Sequence, residues 1–430
     1  MKLYSTNDKT NIVNLREATL NSLPKDKGLF LPCEIPKLSK SFFENLKAFS
    51  LPEIAFEVSR NLIGNEIEKN ALESICTNAI NFPAPLNHLG DNKYILELFH
   101  GPSLAFKDFG ARFMAQLMSH FIKDEDKKLT ILVATSGDTG GAVAAGFHNV
   151  KNIEVIILYP SGKVSPLQEK QLTTWGDNIH AVEWKGTFDD CQAVVKRAFL
   201  DPILKEKYNL SSANSINISR LIPQSFYYFE AIKQIRNSKP TSISVPSGNI
   251  GNISAGSLAR NMGLPIAQLI AAHNANNTVT EYYKTGDYNP KPSVSTLSNA
   301  MDVGNPSNFP RFQILNGSTW NSLKESTLCY SYNDHETTES LRKIKSKYNY
   351  ISEPHAAIAY RGLEEKEIDP NHNHIFMGTA HPAKFLEIVE EKLDIDIKLP
   401  KVLEELSSLQ KEAVMMDNSY NDFVQYLLDR

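Results

Sequence analysis

The stretch 129-LTILVATSGDTGGAVAAGF-147 decides the fold. An unbroken apolar run passes through a glycine-rich turn into a helix of small residues. A run without polar alternation belongs to a strand buried on both faces, which is the habit of parallel sheets under helices. A strand that hands over to a helix through a tight turn is half of a βαβ unit. The pattern returns at 245-VPSGNIGNISAGSLAR-260. Around these two segments, 94-YILELF-99, 153-IEVIILY-159, 179-IHAVEW-184, 241-TSISV-245 and 374-HIFMG-378 read as strands. Helical spacing marks 108-DFGARFMAQLMSHFI-122, 138-DTGGAVAAGFHN-149, 187-TFDDCQAVVKRAFL-200 and 222-IPQSFYYFEAIKQI-235. The expectation is an α/β protein with mostly parallel sheet covered by helices.

Further out, residues 1–82 read as a helix-rich lead-in, from segments such as 41-SFFENLKAF-49 and 66-EIEKNALESICTNAI-80. The run 83-PAPLNHLGDNK-93 reads as a linker into the core, which extends over 83–400. Residues 401–430 read as a helical tail that begins with 401-KVLEELSSLQKEAV-414. The stretch 284–312 is rich in Pro, Asn, Ser and Gly, and a loop of that length in a compact domain points to function.

The chain has 430 residues, 41% hydrophobic and 22% charged, with a net charge of -4. That near-balance gives no basic field for nucleic acid. Apolar runs such as 155-VIILY-159 are far too short for a bilayer, and the N-terminus lacks the apolar core of a signal peptide. Cys33, Cys76, Cys191 and Cys329 are scattered, with no C-x-x-C, which argues against a disulfide framework or zinc site and fits a reducing cytoplasm. There is no H-E-x-x-H and no G-x-S-x-G, so metal and serine-hydrolase readings have no support.

Four segments can carry chemistry. In 100-HGPSLAFKDFGARF-113, Lys107 stands where a strand gives way to a helix, among apolar neighbours that ease loss of its proton. The competing reading is a helix-start lysine paired with Asp108. In 134-ATSGDTGGAVAAGF-147, Thr135, Ser136, Asp138 and Thr139 surround the glycine turn at a helix start, an anion site or only a cap and tight turn. In the loop Gly248, Asn249, Ile250, Gly251 and Asn252, glycines allow close backbone approach and N–H groups suit a phosphate dianion. In 374-HIFMGTAHPAKF-385, Thr379 is a ligand contact or an N-cap, and His381 reads as a packed or capping histidine.

Taken together, SLAFKD, TSGDTGG, PSGNIGN and GTAHPAKF resemble the threonine synthase family. The segments 28-GLFLP-32, 160-PSGKVSPLQEKQLTT-174, 186-GTFDDCQ-192, 214-NSINISR-220 and 298-SNAMDVGNPSNF-309 are similar too, and the likeness runs from near residue 1 to about 390. The resemblance implies a two-lobed fold of the tryptophan-synthase-β-like group, with pyridoxal 5'-phosphate as cofactor. It implies conversion of O-phospho-L-homoserine and water to L-threonine and phosphate, the last step of threonine biosynthesis, in the cytoplasm. Lys107 then matches the lysine that holds the cofactor as a Schiff base. Gly248 to Asn252 match the phosphate cradle, and Thr379 the hydroxyl at the pyridine nitrogen. Thr135, Ser136, Asp138 and Thr139 match the loop for the substrate carboxylate. Ile250 stands where many relatives have Phe, and 353-EPHAA-357 carries Glu and Ala where Asp and Thr are common.

The substrate phosphate needs a cation as well, and Arg112, Lys163, Arg220 and Arg311 are the candidates. The alternatives are a related phospho-amino-acid lyase, a serine/threonine dehydratase, or a non-catalytic homologue that binds ligand. A nucleotide-binding reading lacks the required glycine fingerprint. The expected partner is a small-molecule substrate, with no nucleic acid and no membrane, for a monomer or homodimer.

Overall fold

In the computed structural model, residues 1–135 and 137–430 are described. Ser136 lies outside the described residues. Three sheets organise the chain. The strands β1 (Lys2–Ser5), β2 (Ile12–Asn14) and β3 (Phe30–Pro32) form a small antiparallel sheet in the order β2-β1-β3. The lead-in is therefore not purely helical. Its strands are three or four residues long, too short for a period to show in the sequence.

The larger core sheet contains β4 (Leu86–Gly90), β5 (Lys93–Glu97), β10 (Thr241–Pro246), β11 (Gln268–His273), β12 (Thr327–Ser331) and β13 (Asn373–Gly378). Its order is β12-β11-β10-β13-β5-β4, with every pairing parallel except β4–β5. The other core sheet contains β6 (Leu129–Ala134), β7 (Ile153–Pro160), β8 (Ile179–Trp184), β9 (Asn209–Ser212) and β14 (Val414–Met416). It is parallel throughout, in the order β14-β8-β7-β6-β9.

Strands β6, β10 and β13 are buried at every residue, which is why their sequences do not alternate. The tail is more than helical: after the helix Lys401–Ser408 the chain adds β14 to the edge of the second sheet, then ends in the helix Tyr420–Leu428. β9 was hidden because Asn209–Ser212 is polar. Ser211 faces inward on Ser22, whose Oγ meets Ser211 Oγ at 2.9 Å and donates to the backbone Ser212 O at 2.8 Å.

The lead-in does not keep a core to itself. Leu3, Val13, Leu31, Ile54 and Leu72 share one apolar cluster with Phe109, Phe113, Phe226 and Ile253. Each such side chain, fully buried, stabilises the fold by ~1.5–3 kcal/mol. Burial of this kind fixes the helix Lys107–Phe121 from behind, and that helix positions the amine at its first residue.

Candidate active site

Strands β10, β13 and β5 are adjacent and parallel, so their carboxyl ends open at one edge of the sheet. Ligands of open α/β sheets sit at such an edge. The donor loop 247–252 follows β10, Thr379 follows β13, and the segment leading to Lys107 follows β5. That segment is stitched to the exit of β13. Leu98 N donates to Gly378 O at 2.9 Å, Phe106 N to Thr379 O at 2.8 Å, and His381 N to Leu104 O at 3.0 Å. Residues 107 and 379 are thus held side by side, although more than 270 positions separate them.

Lys107 opens the helix Lys107–Phe121 and is half-buried in dense protein. That burial pushes its proton affinity down to about 8. The Asp138 carboxylate works against the fall, while the charges of Arg220 and Lys384 add to it. Asp108 is not its partner: Asp108 Oδ2 accepts Ser103 N at 2.9 Å, and burial raises this carboxyl to about 6. Thr379 is 5% exposed, and among the described residues its hydroxyl has no hydrogen-bond partner. His381 is a cap, with Nδ1 accepting Ala383 N at 3.1 Å.

The loop after β10 is open to an anion. The helix Gly251–Asn261 starts at Ile250 with no side-chain cap. Among the described residues, the N–H groups of Gly251, Asn252 and Ile253 find no acceptor. Asn252 is 5% exposed; its Oδ1 accepts Tyr227 Oη (2.7 Å) and Tyr228 Oη (2.9 Å), while its Nδ2 is buried with no partner among the described residues. Asn249 faces the other way. Its Nδ2 donates to Ser215 Oγ at 2.7 Å and its Oδ1 accepts Ser307 N at 2.5 Å. A Cβ on Gly248 would lie 2.6 Å from Met301 Cα. The long loop 284–312 therefore buttresses this turn. Ile250 holds φ 48°, a left-handed conformation that a β-branched residue adopts only at a cost of ~1–3 kcal/mol.

The loop after β6 is closed on itself. Thr135 Oγ1 accepts Gly137 N at 3.0 Å and Gly140 N at 2.9 Å, so this hydroxyl shapes the turn. Asp138 is 7% exposed and bonded through Oδ1 to Lys384 Nζ (2.9 Å) and Gln168 Nε2 (2.9 Å). Burial alone would raise this carboxyl, but the ammonium groups of Lys384 and Lys107 hold it well below the usual carboxylate range. Thr139 is half-buried at the helix start.

The four candidate cations separate clearly. Arg112 donates to Ala79 O (2.9 Å), Asn78 O (2.7 Å) and Asn81 Oδ1 (2.9 Å), ending the helix Lys69–Ala79 rather than joining Lys107. Lys163 is exposed. Arg311, fully buried, is occupied by Phe30 O and Asn308 Oδ1. Arg220 is different. It is 3% exposed, Nη1 donates to Ala213 O at 2.5 Å, and Nε has no partner among the described residues. Its charge reaches Lys107, and Gly110 makes room for it, since a Cβ there would lie 2.6 Å from Nε.

Lys384, Gln168 and Gln171 escaped the sequence reading. They lie in GTAHPAKF and 160-PSGKVSPLQEKQLTT-174, but only the folded chain brings Gln171 Nε2 to Ser103 O (3.1 Å) and Lys384 to Asp138. Among the described residues, no cluster of His, Cys, Asp and Glu could hold a metal ion.

Known proteins resemble this chain along its whole length. A family model described as pyridoxal-phosphate dependent enzyme matches residues 75–377. Models described as threonine synthase N terminus and threonine synthase, C-terminal match 2–80 and 356–426. The chain is 46% identical over 433 residues to threonine synthase of Haemophilus influenzae, covering 100% of each. The crystal structure of threonine synthase from Escherichia coli superposes with TM-score 0.93 at 43% identity, covering 100% of both chains. The PLP-bound threonine synthase from Brucella melitensis gives TM-score 0.93 at 33% identity, covering 99% of this chain and 98% of that one.

Proposed function

The chain belongs to the threonine synthase family of pyridoxal-phosphate-dependent enzymes, and from that premise we propose that it turns O-phospho-L-homoserine and water into L-threonine and phosphate. One observation carries the reading: three adjacent parallel strands bring a donor loop, a free hydroxyl and a half-buried lysine to one sheet edge. The residues fit the cofactor. Unmatched N–H groups at a helix start and the orphaned Asn252 Nδ2 suit its phosphate, and Lys107 suits its aldehyde. When bound, pyridoxal phosphate supplies the electron sink for carbanions next to the substrate's amine.

The protein's own groups then divide the work. Lys107 would hold the cofactor by its aldehyde, and its amine is placed to take a proton from the substrate's α-carbon and to return protons at neighbouring carbons. A proton affinity near 8 serves both directions. Thr379 would offer the ring nitrogen a neutral hydroxyl, which would leave that nitrogen less protonated than a carboxylate would. Arg220 is the cation for the substrate phosphate, because it is buried near Lys107 with an unmatched donor. Thr139, with Ser136 and the turn that Thr135 shapes, receives the substrate carboxylate.

The organisation that goes with this reading is a lead-in over 1–82, a catalytic core over 83–400 and a tail over 401–430. The four free cysteines favour a cytoplasmic enzyme, and no helix among the described residues is long and apolar enough to cross a membrane. Incubating the cofactor-loaded protein with O-phospho-L-homoserine tests the function. Threonine and phosphate in equal amounts are expected; 2-oxobutanoate as the main product would transfer the protein to the lyases and dehydratases of the fold.

A further inference from the structure

We propose that Lys384 is a positioning residue which, through its ion pair with Asp138, sets how readily Lys107 holds a proton. The inference rests on the reading of Lys107 as the reactive amine. Lys384 is itself unsuited to that task. Its side chain is 1% exposed, and Nζ is bound to Asp138 Oδ1 at 2.9 Å and Ser103 O at 2.7 Å.

The pair sits in a frame that spans four separate segments. Ser103 precedes Lys107 and donates its N–H to Asp108. Asp138 opens the helix after β6, where the helix start favours a carboxylate. Gln168 and Gln171, on the helix Pro166–Thr173, hold Asp138 Oδ1 and Ser103 O. Lys384 comes from the turn Pro382–Phe385, just beyond Thr379.

Three charged groups act on Lys107: Asp138 at the start of the helix after β6, Lys384 just beyond Thr379, and Arg220 against Gly110 of Lys107's own helix. A lone buried carboxylate beside Lys107 would keep its ammonium form charged and leave it a poor base. Lys384 shares that carboxylate and adds a repelling charge. The amine is then steadied when charged but not locked. Removing one member of a buried pair leaves the other uncompensated, so each deletion acts on Lys107 with a definite sign. Loss of Lys384 raises its proton affinity, and loss of Asp138 lowers it.

The test compares Lys384→Met, Asp138→Asn, the double variant and Lys384→Arg. The first readout is the pH dependence of the rate at which cofactor-free protein captures added pyridoxal phosphate, followed by its visible absorption band. The second is the pH dependence of kcat in the loaded enzyme. Lys384→Met should move the capture midpoint up by about one pH unit, a tenfold change in proton affinity. Asp138→Asn should move it down, the double variant should come back towards the parent, and Lys384→Arg should stay with the parent. Coincident midpoints, or shifts of both single variants in the same direction, overturn the proposal. If Lys384→Met does not fold, judged by circular dichroism, Asp138→Asn and Lys384→Arg decide it. Capture is read without substrate, so a wrong assignment of substrate and a wrong role for Lys384 fail in different experiments.

Discussion

The two glycine loops look alike as sequence and differ as chemistry. TSGDTGG and PSGNIGN both join a buried strand to a helix of small residues. In the first, Thr135 satisfies two N–H groups, and an ionised Asp138 already occupies the helix start. In the second, the first N–H groups are unmatched, Asn252 keeps a buried free donor, and Ile250 is strained. The first loop carries its own anion at the helix start and leaves only side-chain hydroxyls for a substrate carboxylate, whereas the second keeps its backbone donors for an anion. A helix N-terminus is therefore an anion site only when the local side chains have not already filled it.

Five experiments can break or sharpen this contrast. The largest effect belongs to Gly248→Ala. Its Cβ would meet Met301 backbone at 2.6 Å, and the turn cannot yield without moving the donors. Affinity for pyridoxal phosphate should fall about 100-fold, as a misplacement of the order of 1 Å can cost. In the closed loop, Gly141→Ala meets only the Gln171 side chain, at 3.2 Å, and should leave affinity nearly unchanged in the same fluorescence titration. Asn252→Ala removes the free donor and strands the Tyr227 hydroxyl, while Tyr228 Oη keeps the backbone carbonyl of residue 252. Cofactor binding should weaken about tenfold, the scale of one lost hydrogen bond to a charged group.

Thr135→Val should do the opposite. It leaves Gly137 and Gly140 N–H without an acceptor, lowering stability by about 1–3 kcal/mol in a denaturant titration while cofactor affinity holds. The smallest effect is a shift in pH. Burial first of all, with Arg220 and Lys384, lowers Lys107 to about 8, so its neutral form prevails above that pH. Capture of pyridoxal phosphate by cofactor-free protein should accelerate as pH rises through about 8, well below the range of an ordinary lysine.

The sequence carried the parallel core well, because strands such as β6, β7 and β10 are buried on both faces and write that burial as unbroken apolar runs. It carried less where strands are short or at an edge. β9 is polar because it packs serine on serine, β12 is mixed, and β14 has three residues. Within the site, Lys107, Thr379 and the 248–252 loop were legible because each sits at a strand end with a distinctive neighbourhood. Arg220 could not be separated from Arg112 and Arg311, since the difference lies in their partners. Arg112 binds helix-end carbonyls, Arg311 binds Phe30 O, and Arg220 keeps an unmatched Nε. Lys384 was invisible as a participant because its meaning depends on Asp138, about 250 residues away.

The central claim is that Lys107, and no other amine, holds the cofactor where the strand ends meet. Borohydride reduction of the cofactor-loaded protein, followed by proteolysis and mass mapping, tests it directly. The account predicts the reduced cofactor on Lys107. Attachment to Lys384, or to an exposed lysine such as Lys163, would contradict it.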